Sequence, residues 1–340
     1  MTKGPCILIT GANGEIGTSL VEALAARGAS VIALDLRPVR PELAAHCLAT
    51  RTGSITDKDT LTAIGREFPI DSIFHLAALL STRSEAKPDE AHEVNVGGTL
   101  NLLHTAVEAA LAHGRIVKFF FPSSIAVYGV PDRAVKGKAG AVKEDEWLRP
   151  ATMYGCNKLY CEHLGRYFAD HYRRNDPEIA RKLIDFRGIR FPGLISAHTM
   201  PSGGTSDYGP EMIHAAAQGI PYESFVREDS KIPFMAMPDA IRAILELMDA
   251  PAVRLTQAVY NISAFAPTAG DFAAAVRQVF PGAKITWKPN PARQWIVDSW
   301  PEDCDAASAA VDWSFQPAYG WERTFHEYLV ANIRKRYAAT

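Results

Sequence analysis

Tyr154 and Lys158 stand four residues apart in ATMYGCNKLYCEHLGRYF and would share one face of a helix. A phenol with a pKa near 10 is a poor base at neutral pH, and lowering that pKa by about 3 units takes roughly 4 kcal/mol of preference for the phenolate. An exposed lysine supplies about 1 kcal/mol or less. We therefore expect this pair to do acid–base chemistry only if partial burial and a second positive charge supply the remainder.

A turn for a dinucleotide is predicted in CILITGANGEIGTSL, where Gly11, Gly14 and Gly17 follow a strand and open a helix. The first glycine would make the turn, the second would let the backbone approach a pyrophosphate at the helix N-terminus, and the third would let the helix pack on the strand. Eighteen residues past Gly17, a second strand ends at Asp35, which suits two ribose hydroxyls and repels a 2′-phosphate. We expect NAD rather than NADP, although Arg37 slightly weakens that preference. Its oxidised nicotinamide ring would be the positive charge that Tyr154 needs.

A third candidate is the strand IVKFFFPSS, which ends in Ser123 and Ser124. Ligands bind at the carboxyl ends of parallel strands, so a hydroxyl there can hold a substrate oxygen in line with Tyr154. We assign this role to Ser124, because Ser123 is more easily explained as a turn or cap residue.

The segment MPSGGTSDYG, residues 200–209, combines glycines, hydroxyl-bearing side chains and an acid. It is not a phosphate loop of the Gly-x4-Gly-Lys-Ser/Thr kind, because no lysine follows the glycines. Glycines lend mobility and hydroxyls can bind a zwitterion, so we expect a substrate lid, with a plain linker as the alternative.

The elements that position these residues are predicted from alternating apolar runs and helix-period segments. CILIT, SVIALD, SIFHLA and IVKFFFPSS alternate with segments such as EIGTSLVEALAARG, which is typical of βαβ units around a parallel sheet. The predicted fold class is α/β, a Rossmann-type doubly wound parallel sheet with a smaller C-terminal substrate lobe. We expect an NAD-binding domain at 1–192, to which 238–263 returns, a lobe at 193–340, a surface loop at 130–147 and a long helix at 151–174.

The composition indicates which kinds of molecule the protein can bind. The chain has 340 residues, 47% of them hydrophobic, and a formal net charge of −2, so it has no global field to gather nucleic acid or an anionic membrane. Its five cysteines form no Cys-x-x-Cys pair, which argues against a disulfide framework or a structural metal site. With no long apolar run or signal-type segment, we expect a soluble, cytoplasmic protein that binds a small molecule.

Taken in order, these motifs resemble the extended short-chain dehydrogenase/reductase family. There the glycine turn, the strand-end acid, the segment HLAA at 75–78, an asparagine in NVGGT, a serine and the Tyr/Lys pair recur in the same order. The resemblance implies an NAD-dependent enzyme in which Ser124, Tyr154 and Lys158 are catalytic. The residues that it implies around the cofactor are Gly11, Gly14, Glu15, Ile16, Gly17, Asp35, Leu36, Arg37, Ser54, Ile55, Leu76, Ala77, Ala78, Asn95, Tyr154 and Lys158.

The second half of the chain resembles one branch of that family, the short-chain-type L-threonine 3-dehydrogenases. The likeness lies in PGLISAHTMPSGGTSDYGPEM, KIPFMAMPDAIRAILELMDAP, YNISAF and RQWIVDSWPEDCDAASAAVDWSF. It implies oxidation of L-threonine to 2-amino-3-oxobutanoate, with hydride leaving C3 and Tyr154 as general base. It also implies a homodimer through helices at 89–112 and 151–174. The residues that it implies around the amino acid are Ser81, Ser124, Tyr154, Gly204, Thr205 and Trp300.

Simpler explanations and rival functions stay open at this point. Trp300 could pack in a core, Ser81 could lie in a solvated loop, and His75 could be a buried histidine with satisfied nitrogens. A dehydratase needs an acid at the position where this chain has Ile125, so dehydration is disfavoured. The segment RFPGLIS lacks the asparagine that nucleotide-sugar enzymes have after this strand. Ser54 replaces a usual aspartate near the adenine. The insertion at 130–147 leaves a larger β-hydroxy acid or amino acid as an alternative substrate. A second alternative is that the protein is a nucleotide-sugar epimerase or reductase. A third is that it is a non-catalytic dinucleotide sensor.

Overall fold

The computed structural model of the protein describes residues 6–176, 181–201 and 204–338. The described residues form two compact units. The first takes its residues from Met1–Ser123, Cys156–Ile189 and Ile244–Val259, and the second from Ser124–Gly155, Arg190–Ala243 and Tyr260–Thr340.

The strands in chain order are β1 (Cys6–Thr10), β2 (Ser30–Asp35), β3 (Ala49–Thr52), β4 (Ile70–His75), β5 (Val117–Ser124), β6 (Ala141–Val142), β7 (Ile184–Phe191), β8 (Gly193–Ile195), β9 (Tyr222–Ser224), β10 (Phe234–Ala236), β11 (Val259–Asn261), β12 (Ile285–Trp287) and β13 (Asp303–Cys304). The helices are α1 (Glu15–Ala26), α2 (Pro41–Ala44), α3 (Lys58–Glu67), α4 (Ser81–Ala86), α5 (Pro88–His92), α6 (Gly98–His113), α7 (Arg133–Ala139), α8 (Met153–Asp170), α9 (Tyr208–Ala217), α10 (Met237–Asp249), α11 (Ala269–Val279), α12 (Pro291–Ser299), α13 (Ala307–Trp313) and α14 (Ala331–Ala338). Wide helical turns at Glu93–Gly97 and Arg323–Val330 lead into α6 and α14, and tight ones cover Ile125–Val127 and Ala252–Arg254.

Among the described residues, seven strands form the central sheet in the order β11-β7-β5-β4-β1-β2-β3. The pairs β1–β2, β1–β4, β2–β3 and β4–β5 are parallel. All five residues of β1 are buried, as expected of a strand that is covered on both faces. The strand order reverses between β1 and β4, and such a switch point is where doubly wound sheets bind ligands. The predicted Rossmann-type sheet is confirmed.

The core of the first unit packs helices against this sheet. Leu8, Ile32, Ile73 and Phe119 from the strands are buried at 1% exposure or less, together with Leu102 from α6. Phe119, Phe120 and Phe121 of β5 are all buried, as expected of a strand that is covered on both faces.

The second unit has short elements around an aromatic core. Three two-stranded parallel pairs, β8–β10, β9–β12 and β6–β13, occur in its described part. The rings of Tyr208, Phe225, Phe234 and Phe272 meet edge to face at centroid distances of 5.2–6.2 Å. Such aromatic contacts stabilise a unit that lacks a large sheet.

The surface loop predicted at 130–147 was wrong in part, because this segment contains α7 and β6. Asp132 caps α7 by accepting a hydrogen bond from the Val135 amide at 2.9 Å. Lys136 is buried on α7, and Val142 is buried where β6 pairs with β13. The polar composition concealed these elements, because the side chain buried on α7 is a lysine.

The five cysteines, all within the described ranges, form no disulfide bond. In the part of the chain that the structure covers, no helix is both long and apolar enough to cross a membrane.

Candidate active site

The glycine turn between β1 and α1 can hold only glycines at two positions. Gly11 has φ of +71°, and a Cβ there would lie 2.8 Å from the Ala77 nitrogen. A Cβ on Gly17 would lie 2.3 Å from the Gly11 oxygen, so α1 approaches the turn too closely for a side chain. Gly14 precedes α1 as its N-cap and is exposed, which leaves the positive end of the helix open to an anion. Glu15 and Ile16 form the first turn of α1.

Asp35, at the end of β2, is held by two backbone donors. One carboxylate oxygen accepts from the Asn13 amide at 2.9 Å, and the other accepts from the Arg37 amide at 3.1 Å. Each oxygen keeps a lone pair that can accept from a ribose hydroxyl. Leu36 beside it is 73% exposed, and an apolar side chain left in water next to this carboxylate suits a flat ligand ring.

Asn13 was assigned no function from the sequence. Its side-chain amide donates to the Pro38 carbonyl at 3.0 Å and accepts from the Arg40 amide at 3.1 Å. Asn13 thus joins the glycine turn to the loop after Asp35. Only these contacts reveal that role, since an asparagine in a glycine-rich turn is unremarkable in the sequence.

The loop after β4, with Leu76, Ala77 and Ala78, is held from the turn before α6. The Asn95 side chain accepts from the Leu79 amide at 2.8 Å and donates to the Leu79 carbonyl at 3.1 Å. Asn95 therefore fixes the backbone at the sheet's switch point.

His75 ends β4 with both ring nitrogens satisfied, as the simpler explanation had it. They contact the Thr10 and Thr99 hydroxyls at 3.0 and 2.9 Å. Burial, and secondarily the positive charge of Lys158, lowers the pKa of His75 to about 3, so the ring is neutral at pH 7. His75 links β1, β4 and α6 and acts as a structural residue.

On the loop after β3, Ile55 is buried and Ser54 is half-buried. The Ser54 oxygen accepts from the Thr56 amide at 3.1 Å and lies 2.8 Å from the Thr56 hydroxyl. The hydroxyl therefore shapes its own turn. An adenine contact by Ser54 stays a prediction.

Ser124 and Tyr154 are brought together within the second unit. The Ser124 side chain hydrogen-bonds the Tyr154 hydroxyl, and its oxygen also accepts from the Ala126 amide at 3.2 Å. Burial raises the pKa of Tyr154 to about 12, and the hydrogen bond from Ser124 lowers it. Burial thus opposes the phenolate here, contrary to the expectation that partial burial would favour it.

Lys158 is placed in the first unit by the same helix, α8. Its ammonium is buried, donates to the Pro122 carbonyl at 2.6 Å and lies 4.7 Å from the centre of the Phe121 ring. Burial lowers the pKa of Lys158 to about 8, against the opposing influence of Cys161 and Glu162. The neighbouring Ser123 donates a hydrogen bond to Glu162 at 2.5 Å, so Ser123 is a buried structural residue.

The residues expected around a substrate lie in both units. Ser81 begins α4 in the first unit and is buried, so it does not lie in a solvated loop. In the second unit, the Gly204 amide donates to Asp207 at 2.7 Å, and the Gly204 carbonyl accepts from Arg293 at 2.8 Å. Thr205 is buried beside it. Ser202 and Gly203 of the expected lid lie outside the described residues.

Trp300 directly follows α12 and is 6% exposed. Its indole nitrogen is buried and makes no hydrogen bond within the described residues. An N–H donor that is buried without a partner costs free energy, so it suggests an acceptor from a ligand.

The first unit therefore has the features of a site for a nicotinamide dinucleotide. Its glycines lie where a Cβ cannot fit, a helix N-terminus faces outward, and a fixed carboxylate ends the neighbouring strand. The fold and site define a Rossmann-type dinucleotide-binding protein.

Comparison with known proteins agrees with this class. The profile of the NAD dependent epimerase/dehydratase family matches residues 7–263, and the chain belongs to that family. It is 34% identical over 316 residues to an uncharacterized epimerase/dehydratase of Staphylococcus saprophyticus, with 92% of each chain covered.

Two solved structures give a finer comparison. The holo form of an L-threonine dehydrogenase from Cupriavidus necator is similar with a TM-score of 0.84 and 36% identity, covering 98% of this chain and 99% of that one. A monomeric L-threonine 3-dehydrogenase from a metagenome database, in its apo form, is similar with a TM-score of 0.85 and 36% identity, covering 97% and 99%. These similarities support NAD-dependent dehydrogenase activity.

Proposed function

We propose that this protein oxidises L-threonine at its β-carbon with NAD, giving 2-amino-3-oxobutanoate and NADH. The observation that carries the proposal is the hydrogen-bonded pair of Ser124 and Tyr154, which places a phenol beside a hydroxyl at the end of β5. Solved structures of L-threonine dehydrogenases, similar over almost the whole chain, support the choice of substrate.

Each catalytic residue has a separate task. Tyr154, as phenolate, takes the proton of the threonine hydroxyl, and Ser124 orients that oxygen through a hydrogen bond. Lys158 would hold the nicotinamide ribose through its ammonium and would favour the ionised phenol. NAD, when bound, accepts the hydride that leaves C3 of threonine. Gly11 and Gly14 would hold the pyrophosphate of NAD, and Asp35 would hold its adenosine ribose.

The energetics require the bound cofactor. With its pKa raised to about 12, Tyr154 needs about 7 kcal/mol to ionise at pH 7, since each pKa unit is worth about 1.4 kcal/mol. The Lys158 ammonium is already in place at that pKa, so the positive ring of NAD, when bound, is the further charge that would favour the phenolate. The enzyme then has its base only when the cofactor is present.

Small polar groups in the second unit suit an amino acid. Thr205 presents a hydroxyl, and Trp300 presents a buried N–H that can donate to a substrate oxygen. Neither carries a charge, which fits a zwitterion better than a diphosphate.

The test is a substrate panel with purified protein and NAD, scored by NADH absorbance. L-Threonine, L-serine, a larger β-hydroxy amino acid, 3-hydroxybutyrate and UDP-glucose are the compounds to compare. We expect the highest kcat/KM for L-threonine. A higher kcat/KM for 3-hydroxybutyrate or the larger amino acid, or turnover of UDP-glucose alone, would overturn the proposal.

We also propose a homodimer through α6 and α8. Leu111 on α6 and Tyr160 and Tyr167 on α8 are 40–54% exposed, and apolar side chains of this size suit a covered surface. Light scattering of the purified protein tests it, and a monomer at micromolar concentration would refute it.

A further inference from the structure

Helix α12 lies between two of the residues assigned to the substrate. In its first turn, Arg293 donates to the Gly204 carbonyl at 2.8 Å, next to Thr205. Trp300 follows its last residue, Ser299. A shift of α12 would therefore move the backbone at Gly204 and the indole of Trp300 together.

The C-terminal end of α12 is capped by the segment before and within α7 and by the helix's own last residue. The last four carbonyls of a helix lack partners in the helix, and here three of them find other donors. Lys136 donates to the Val297 carbonyl at 2.8 Å, the Val130 amide donates to the Ser299 carbonyl at 2.8 Å, and the Ser299 hydroxyl donates to the Ile296 carbonyl at 2.8 Å.

Lys136 is an unusual cap because it is 5% exposed. A positive charge at a helix C-terminus is favourable, but taking an ammonium out of water is costly. Burial lowers the pKa of Lys136 to about 8, with Asp298 and Glu302 opposing and Arg227 and Arg133 adding to the effect.

The carboxylates near Lys136 already have other partners. Arg227 binds Asp298 at 2.6 Å, and Lys231 binds Glu302 at 3.6 Å. Among the described residues, Lys136 is thus directed to the helix end by its carbonyl acceptor and not by an ion pair. An apolar side chain of the same length would avoid the cost of burying the charge.

We propose that Lys136 is a positioning residue that fixes the end of α12 and thereby sets where Trp300 and Gly204 meet the substrate. The proposal rests on the proposed function for its kinetic consequence, but the placement of Trp300 can be measured without substrate. It also gives the segment 130–142 a function: this segment acts on substrate preference through α12.

The experiment compares Lys136→Met with Lys138→Met, the same change at an exposed site on α7. Both proteins are labelled with fluorotryptophan for ¹⁹F NMR. Of the six tryptophan resonances, the one that is missing in Trp300→Phe is that of Trp300. In Lys136→Met the Trp300 resonance should shift or broaden, and in Lys138→Met it should not move. Thermal melting of Lys136→Met should stay near the parent, since removing a buried charge offsets the lost hydrogen bond.

Kinetics complete the test. In Lys136→Met the KM for L-threonine should rise at least about tenfold, because displaced binding groups act on the substrate, and the KM for NAD should change by less than about twofold. An unmoved Trp300 resonance overturns the inference, and so does an unchanged KM for threonine in an active enzyme. If the parent protein does not oxidise threonine but the resonance moves in Lys136→Met alone, the proposed function fails and the positioning role stands.

A milder variant covers the case in which Lys136→Met does not fold. Ser299→Ala removes only the hydroxyl that donates to the Ile296 carbonyl at the same helix end. We expect a smaller displacement of the Trp300 resonance in the same direction. No displacement in a folded Ser299→Ala protein would contradict the idea that the cap positions Trp300.

Discussion

Replacing Ser124 with alanine should move the pH dependence of catalysis. Ser124 donates a hydrogen bond that favours the Tyr154 phenolate, and its loss raises a pKa that burial already holds at about 12. A hydrogen bond to a charged group is worth about 1.5–3 kcal/mol, which corresponds to about 1–2 pKa units. The phenolate fraction at a given pH below the pKa should fall by about 10- to 100-fold.

The assay is kcat/KM for L-threonine between about pH 6 and pH 10 at saturating NAD. The acidic limb of Ser124→Ala should lie about 1–2 pH units higher than that of the parent, and part of the lost activity should return at the alkaline end. Ser263→Ala is the matched control, because Ser263 donates to Asp303 elsewhere in the second unit. A variant whose activity falls equally at every pH, with the limb unmoved, would show that Ser124 does not set the pKa of Tyr154.

Three further predictions concern the first unit. Asp35→Asn removes the charge that repels a 2′-phosphate, so the ratio of kcat/KM for NAD over NADP should fall by at least about tenfold in steady-state kinetics. Gly17→Ala places a Cβ 2.3 Å from the Gly11 oxygen, whereas the new Cβ of Gly97→Ala meets no atom within 4 Å. Only Gly17→Ala should therefore lower the melting temperature and weaken NAD binding in calorimetry. His75 is neutral in the folded protein, because its pKa is lowered to about 3. Its contribution to the free energy of unfolding is complete above pH 6.5. As pH falls from 6.5 toward 3 this contribution is lost, by up to about 5 kcal/mol. Urea unfolding should show this acid loss in the parent and a flatter profile in His75→Phe; equal slopes would contradict it.

The parts of the fold that could be predicted from the sequence are those that depend on the pattern of neighbouring residues. The apolar runs of β1 and β5 and the spacing of Gly11, Gly14 and Gly17 each involve neighbouring residues, and the structure confirms the sheet that they predict. Short-range periodicity carries this information because a strand covered on both faces must be apolar throughout.

The contacts that organise the second unit could not be predicted in this way. Lys136 meets the Val297 carbonyl across 161 residues, and Arg293 meets the Gly204 carbonyl across 89. Their acceptors are backbone carbonyls, which every residue has, so no residue type marks them. A polar segment such as 130–147 therefore looked like a loop, although its lysine caps a distant helix.

The direction of the burial effect at Tyr154 was also hidden from the sequence. Spacing placed the phenol near Lys158, but whether burial favours or opposes ionisation depends on which groups surround the oxygen. In the structure burial opposes ionisation, and Ser124 is the group that favours it.

The proposed mechanism depends on the Tyr154 oxygen as the base for NAD-dependent oxidation. Its most direct test is the turnover of Tyr154→Phe with L-threonine, measured beside the dissociation constant of NAD. Loss of the phenol should lower kcat by at least about 100-fold, the range of general-base effects, and leave the NAD dissociation constant within about threefold of the parent. Turnover close to that of the parent enzyme, with NAD bound as tightly, would contradict the claim.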